Sequence, residues 1–216
     1  MLSEYKNIMI ETIFKEVGRA NNNVIAYPRK YESDKNISKL LGISESSTFG
    51  MIVNFTAGIS INNGWLRLFG GESSENIESI ASWNQFGNDS NSVIDEAIMI
   101  GYDVIGGFFA MNYGAFNSKL GIIHYYAPDS LVWESLDLDY NDFFHWCLNG
   151  DLKKFYESYY WDSYEKEILL VKAGQGFSLY PPLFTKEGKN TNFISKKIIP
   201  LKEIWLLNQS YQKQIE

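Results

Sequence analysis

The sequence predicts an α+β fold, with a mainly antiparallel central sheet flanked by N- and C-terminal helices. Three observations carry this expectation. Apolar residues recur at helical spacing toward both ends of the 216-residue chain. The middle consists of short apolar runs, many β-branched, punctuated by Gly and Asn. The connections between those runs are too short for repeated βαβ crossovers, so neighbouring strands should pair antiparallel.

Residues 4–17 read as a helix, with Tyr5, Ile8, Met9, Ile13 and Val17 on one stripe and charges between them. Gly18 and Asn21-Asn22-Asn23 end it. Val24–Tyr27 reads as a short strand before Pro28, and a second helix is expected from Ser33, with Ile37, Leu40 and Leu41 on one face and Gly42 after its end. From Thr48 the pattern turns strand-like, so Phe49–Phe55 and Gly58–Ile61 are expected as strands. Asn62-Asn63-Gly64 before Trp65–Phe69 is a hairpin signal, because these residues tolerate positive φ. Ser73 or Ser74 should cap a helix near Ile77–Trp83. Ala97–Ile100, Gly107–Met111, Gly121–Tyr126 and Val132–Glu134 are the remaining strands.

Helices return after Leu138. Asn141–Leu148 is apolar and stopped by Asn149-Gly150, and Asp151 should cap a helix holding Leu152, Phe155, Tyr156 and Tyr159. Residues 172–192, rich in Gly, Pro and Lys, read as a long loop. Pro200 opens a last amphipathic helix through Ile204, Trp205 and Leu207, ending around Gln214. The expected organisation is one domain over residues 1–216, with a helical N-terminal part about 1–42, a strand-rich centre about 48–135 and a helical C-terminal part about 139–216.

Composition removes several function classes. Apolar residues make up 45% and aromatics 16%, enough for a core. A net charge of −7 argues against a general nucleic-acid binder and against anchoring to anionic lipid. One Cys excludes an intrachain disulfide and a zinc site with several Cys ligands, and two His leave little for a His-rich metal centre. The N-terminus lacks a basic segment followed by an apolar run, so no secretory signal is expected, and a cytoplasmic protein is the default. No cofactor or metal is called for.

Catalytic constellations are scarce. Cys147 and His145 stand two apart on a helix and so point to different faces. Cys147, among Phe144, Trp146 and Leu148, reads as a small core residue. Gly70-Gly71 and Gly106-Gly107 fit no phosphate-binding pattern; the first reads as a sharp turn, the second as a turn or bulge where the backbone approaches a neighbour closely. Charge placement says more. Residues 72–142 hold twelve acids and one base, Lys119, a local net charge of −11. Such a block keeps an aromatic-rich sheet soluble, or it serves as a docking face for a basic partner.

The strings Gly64-Trp65-Leu66-Arg67, Gly106-Gly107-Phe108-Phe109-Ala110, Ala127-Pro128-Asp129 and Trp133-Glu134 resemble a bacterial family of unassigned function. A wider resemblance is to the SUKH superfamily, carried by Gly106–Ala110, Gly121–Tyr126, Asp129 and Phe143-Phe144. It implies an α+β domain that binds without catalysis and, in many bacterial members, confers immunity to a secreted toxin. The expected function is therefore protein binding through an acidic face of Asp129, Glu134, Asp137, Asp139 and Asp142, toward a basic protein such as a toxin. The alternative is a small-molecule pocket, or an unrecognised active site, lined by Trp65, Arg67, His124, Tyr126 and Trp133. The bland reading of those aromatics is core, with Arg67 paired to an acid.

Overall fold

The computed structural model describes residues 2–29, 37–73, 78–86 and 93–215. Helix α1 (Leu2–Val17) buries Met9, Ile13 and Val17 one turn apart, whereas Ile8 of the predicted stripe is exposed. Strand β1 (Val24–Pro28) follows, then the short α2 (Ile37–Leu40), closed by Gly42 at φ 66°. Ser33, expected to start α2, lies outside the described residues. Helix α3 (Thr48–Phe55) runs into β2 (Thr56–Ile61), β3 (Leu66–Phe69), α4 (Ile80–Trp83), β4 (Ala97–Asp103), β5 (Phe108–Asn112), β6 (Ile123–Ala127) and β7 (Val132–Ser135). The chain ends with α5 (Tyr140–Asn149), α6 (Leu152–Phe155), α7 (Tyr164–Glu167), β8 (Gln175–Tyr180), β9 (Ser195–Pro200) and α8 (Leu201–Ile215). No helix among the described residues is long and apolar enough to cross a membrane.

The fold is α+β, as the sequence predicts. Strands β1 to β7 form one antiparallel sheet in sequence order, so β1 and β7 are its edges. Every connection joins neighbours; β2–β3 and β4–β5 close through short Asn- and Gly-containing turns, whereas α2 and α3 intervene between β1 and β2, and α4 between β3 and β4. Asn62, Asn63 and Gly64 all take positive φ and turn β2 into β3. Directly paired residues of antiparallel strands project from the same face. One face therefore carries the row Ser60, Arg67, Tyr102, Phe108, Tyr126 and Trp133. The other carries Leu66, Asp103, Phe109 and Tyr125, with Phe143 of α5 against Phe109 at 5.1 Å. Strands β2, β5 and β6 are buried along their whole length, which both-sided covering requires.

Three elements differ from expectation. Phe49–Phe55 belongs to helix α3 and not to a strand. Its Ser47 cap accepts the Gly50 N–H at 3.0 Å, and the helix packs on α1, α2 and α5. Five of its residues are buried, so the apolar run that suggested a strand reflects burial, which carries no period. The helix at Leu152 stops at Phe155, and Tyr156 to Tyr159 form turns. The supposed loop 172–192 contains β8, which pairs with β9 in a second, two-stranded sheet, so the C-terminal part is not wholly helical. Ser79, and not Ser73, caps α4; Ser74 and Ile77 lie outside the described residues.

The β4–β5 turn bears out the close-approach reading of Gly106-Gly107. A Cβ on Gly107 would run into Asp103 Oδ2 and the Tyr125 hydroxyl, both buried. Gly121 has a positive φ of 84°, unlike Gly107, yet a Cβ there would meet nothing within 4 Å. Gly107→Ala should therefore cost about 3 kcal/mol or more through a lost buried hydrogen bond and overpacking, and Gly121→Ala only about 1 kcal/mol of backbone strain. Urea denaturation of the two variants checks the difference; equal losses would contradict it.

Candidate functional site

On the face that bears Arg67, α4 and α8 cover one part of the sheet. Trp83 stacks on Phe69 and Phe108 at 5.4 and 5.8 Å, and Trp205 packs on Phe108 and Tyr126 at 5.0 and 5.6 Å. Toward β1 the cover ends and a cleft of about 310 Å³ opens, lined by Tyr27, Ser60, Arg67, Glu78, Tyr102 and Lys172 among others. Gly58 makes its floor. It pairs with Tyr27 on one side and Phe69 on the other, at φ 124°, so two aromatic side chains flank a position with none.

Arg67 is held by backbone. Its Nη2 donates to Val171 O at 2.9 Å and its Nε to Gly64 O at 3.3 Å, and a Cβ on Gly64 would collide with the guanidinium. Among the described residues it forms no ion pair, contrary to the expected pairing with an acid; Glu78 in the same cleft is bridged to Lys202 at 3.0 Å. The buried Tyr102 hydroxyl accepts the Gly174 N–H at 2.8 Å. Burial raises its pKa, and the charge of Arg67 pulls it back down.

Behind the opposite face lies a second arrangement. Asp103 is fully buried; its Oδ1 accepts the N–H groups of Gly107 at 2.8 Å and Ile105 at 3.1 Å, and its Oδ2 accepts the Tyr125 hydroxyl at 2.7 Å. Phe109 and Phe155 pack on Tyr125, and Tyr156 packs on Phe155 and Trp65. Sequence reading counted Asp103 only as one acid of the block. The signal was there in Asp103-Val-Ile-Gly-Gly107, the pattern of a side chain that caps its own turn.

The residues proposed from sequence fall in five places. Glu134, Asp137, Asp139 and Asp142 are exposed along β7 and the start of α5, with Asp139 capping α5 by accepting the Asp142 N–H at 3.0 Å. Asp129 is half-buried beside Tyr159, whose hydroxyl pKa is raised by burial first and then by Asp129, with smaller contributions from Asp103 and Glu134. Trp65 sits in the Tyr156–Tyr160–Trp161–Tyr164 cluster. His124 stacks on Phe116 at 4.2 Å, with Trp133 packed on Phe116 and Tyr126. Of the five proposed pocket residues, Arg67 alone lines the cleft described above; Tyr27, Ser60, Glu78, Tyr102 and Lys172 complete it, and none of them carried a sequence signal. Cys147 is buried, as expected, and burial pushes its thiol well above the ordinary range, which leaves it inert.

The profile of a protein family described as of unknown function, DUF2625, matches residues 2–204. The chain belongs to the DUF2625 family. It is 33% identical over 165 residues to the uncharacterized protein YbfG of Escherichia coli (strain K12), spanning 76% of this chain and 74% of the relative. An uncharacterized protein of Haemophilus influenzae is 30% identical over 173 residues, spanning 80% of this chain and 76% of the relative.

In this DUF2625 chain the charge states follow from burial. Desolvation raises the Asp103 carboxyl from its ordinary value to about 6, against the hydrogen bonds from Tyr125, Gly107 and Ile105 that lower it. Burial lowers His124, opposed by its bond to Ile122 O and by Asp137, so the ring favours the neutral form. No group of three or more His, Cys, Asp or Glu that could hold a metal ion exists among the described residues. A carboxyl whose folded pKa lies above its unfolded one adds stability at low pH, and that contribution is lost as pH rises through the folded pKa. For Asp103 the window is about pH 4 to 6, with about 3 kcal/mol at stake. Asp103→Asn mimics the neutral form. Unfolding free energies at pH 4 and pH 7 should show the variant gaining on the wild-type protein as pH rises; a constant difference would contradict the shift.

Proposed function

We propose that the protein is a non-catalytic binding protein that docks a basic protein partner on the acidic edge formed by β7 and the start of α5. The observation that carries this is the open edge itself. Among the described residues β7 pairs only with β6, Val132 and Glu134 on it are exposed, and Glu134, Asp137, Asp139 and Asp142 have no ion pair. An edge strand offers unpaired backbone groups to an incoming strand, and the acids select a cationic one. Single exposed ion pairs contribute only about 0.2–1 kcal/mol, so four such charges act chiefly by steering encounter. The SUKH resemblance supports the same reading, since such a face would suit a toxin-blocking protein.

The test uses Glu134→Lys with Asp142→Lys, which spares the Asp139 cap. A strongly basic protein should be retained from the native host by the wild-type chain at low salt and released at high salt. Its association with the double variant should slow by about tenfold or more, with dissociation changed less. No retained basic protein, or equal association rates for the two chains, would overturn the proposal.

A further inference from the structure

We propose that the Arg67 cleft is a binding site for a small monocarboxylate with a flat apolar body. The site lies on the sheet face away from Asp103, toward the β1 edge, whereas the acidic docking strand is the opposite edge, so the two readings are independent. Its volume of about 310 Å³ is at the small end of ligand sites. The flat body follows from the walls. Tyr27 and Phe69 flank the bare backbone of Gly58, and Tyr102 stands beside Arg67 in the next row. Val171 and Ala173 add apolar surface.

The carboxylate follows from Arg67. A guanidinium has five N–H donors. Nε and one N–H of Nη2 are engaged by the carbonyls of Gly64 and Val171, and no other acceptor among the described residues takes the rest. Those two backbone bonds, with the turn of Gly64 beneath, fix the group before any ligand arrives, which lowers the ordering cost of binding. One pre-placed guanidinium edge matches one planar carboxylate. Glu78 lines the same cleft and Lys172 stands exposed at its rim. Glu78 is bridged to Lys202, and a phosphate dianion would need more buried cationic partners than the one fixed guanidinium of Arg67.

An amide NMR titration of the full chain tests this with three probes: phenylacetate, its neutral analogue phenylacetamide, and inorganic phosphate. Phenylacetate should saturably shift the Gly58, Ala173 and Arg67 signals, and phenylacetamide should bind about tenfold more weakly or worse, having lost the charged partner. Arg67→Met should abolish phenylacetate binding. Because Arg67 also ties the Gly64 turn to Val171, a second variant is needed. Ala173→Phe fills the cleft from its wall without touching either carbonyl bond, and should abolish binding with a dispersed, folded spectrum. Absence of saturable shifts, equal binding of the amide or of phosphate, or unchanged binding in Ala173→Phe would overturn the proposal. Glu134→Lys with Asp142→Lys should leave phenylacetate binding unchanged, which separates this site from the docking edge.

Discussion

The carboxylate of Asp103 is the group that the rest of this fold has to satisfy. It has no solvent contact, and moving such a charge out of water costs several kcal/mol even after relaxation. Two turn N–H groups and one phenol are its partners, and hydrogen bonds to a charged acceptor return about 1.5–3 kcal/mol each. The upward shift of the carboxyl to about 6 says that desolvation outweighs these partners. This arrangement works only at a glycine. Any side chain at position 107 would occupy the space where the carboxylate and the Tyr125 hydroxyl meet.

The turn that Asp103 fixes is a junction. Its Val104 O accepts the Phe177 N–H of β8 at 2.6 Å, Val104 N donates to Trp65 O at 2.9 Å, and Gly106 O accepts Asn208 Nδ2 of α8 at 2.9 Å. Strand β3, the second sheet and the last helix are thus referred to one backbone loop. Where α8 then lies decides which part of the sheet face is covered. Trp205 closes the Phe108–Tyr126–Trp133 row, and the Tyr27–Gly58–Phe69 row toward β1 is left with a cleft. The Arg67 site and the acidic edge at β7 both follow from how far the covering helices reach.

Much of the fold was legible because its signals are local. The Asn62-Asn63-Gly64 turn, the Gly42 cap, the Asp151 cap and the strands β2 to β7 each rest on a few adjacent residues. Helix α3 was misread because a segment buried on all sides has no polar face to reveal its period. β8 hides in a Gly- and Pro-containing stretch because its pairing with β9 is made across a separate loop. The functional sites were less legible. The exposed acids from Glu134 to Asp142 are one continuous segment, so sequence finds them. The cleft draws Tyr27, Ser60, Arg67, Tyr102 and Lys172 from five segments, and sequence reading grouped Arg67 with aromatics that share its family-like strings but pack elsewhere. Asp103 was hidden by its neighbours in composition: an acid among twelve looks like surface until the Gly-Gly turn that buries it is taken with it.

Amide hydrogen exchange at Ile105 and Gly107 tests this dependence most directly. Both amides lie at a hairpin turn, where exchange is ordinarily fast, yet both donate to the buried carboxylate. Their protection should match that of central strand amides such as Ala110 and Tyr125, so that they exchange only through global unfolding. Exchange as fast as that of the exposed turn near Ser118 would show that the Asp103 junction opens locally, and that the fold does not depend on it.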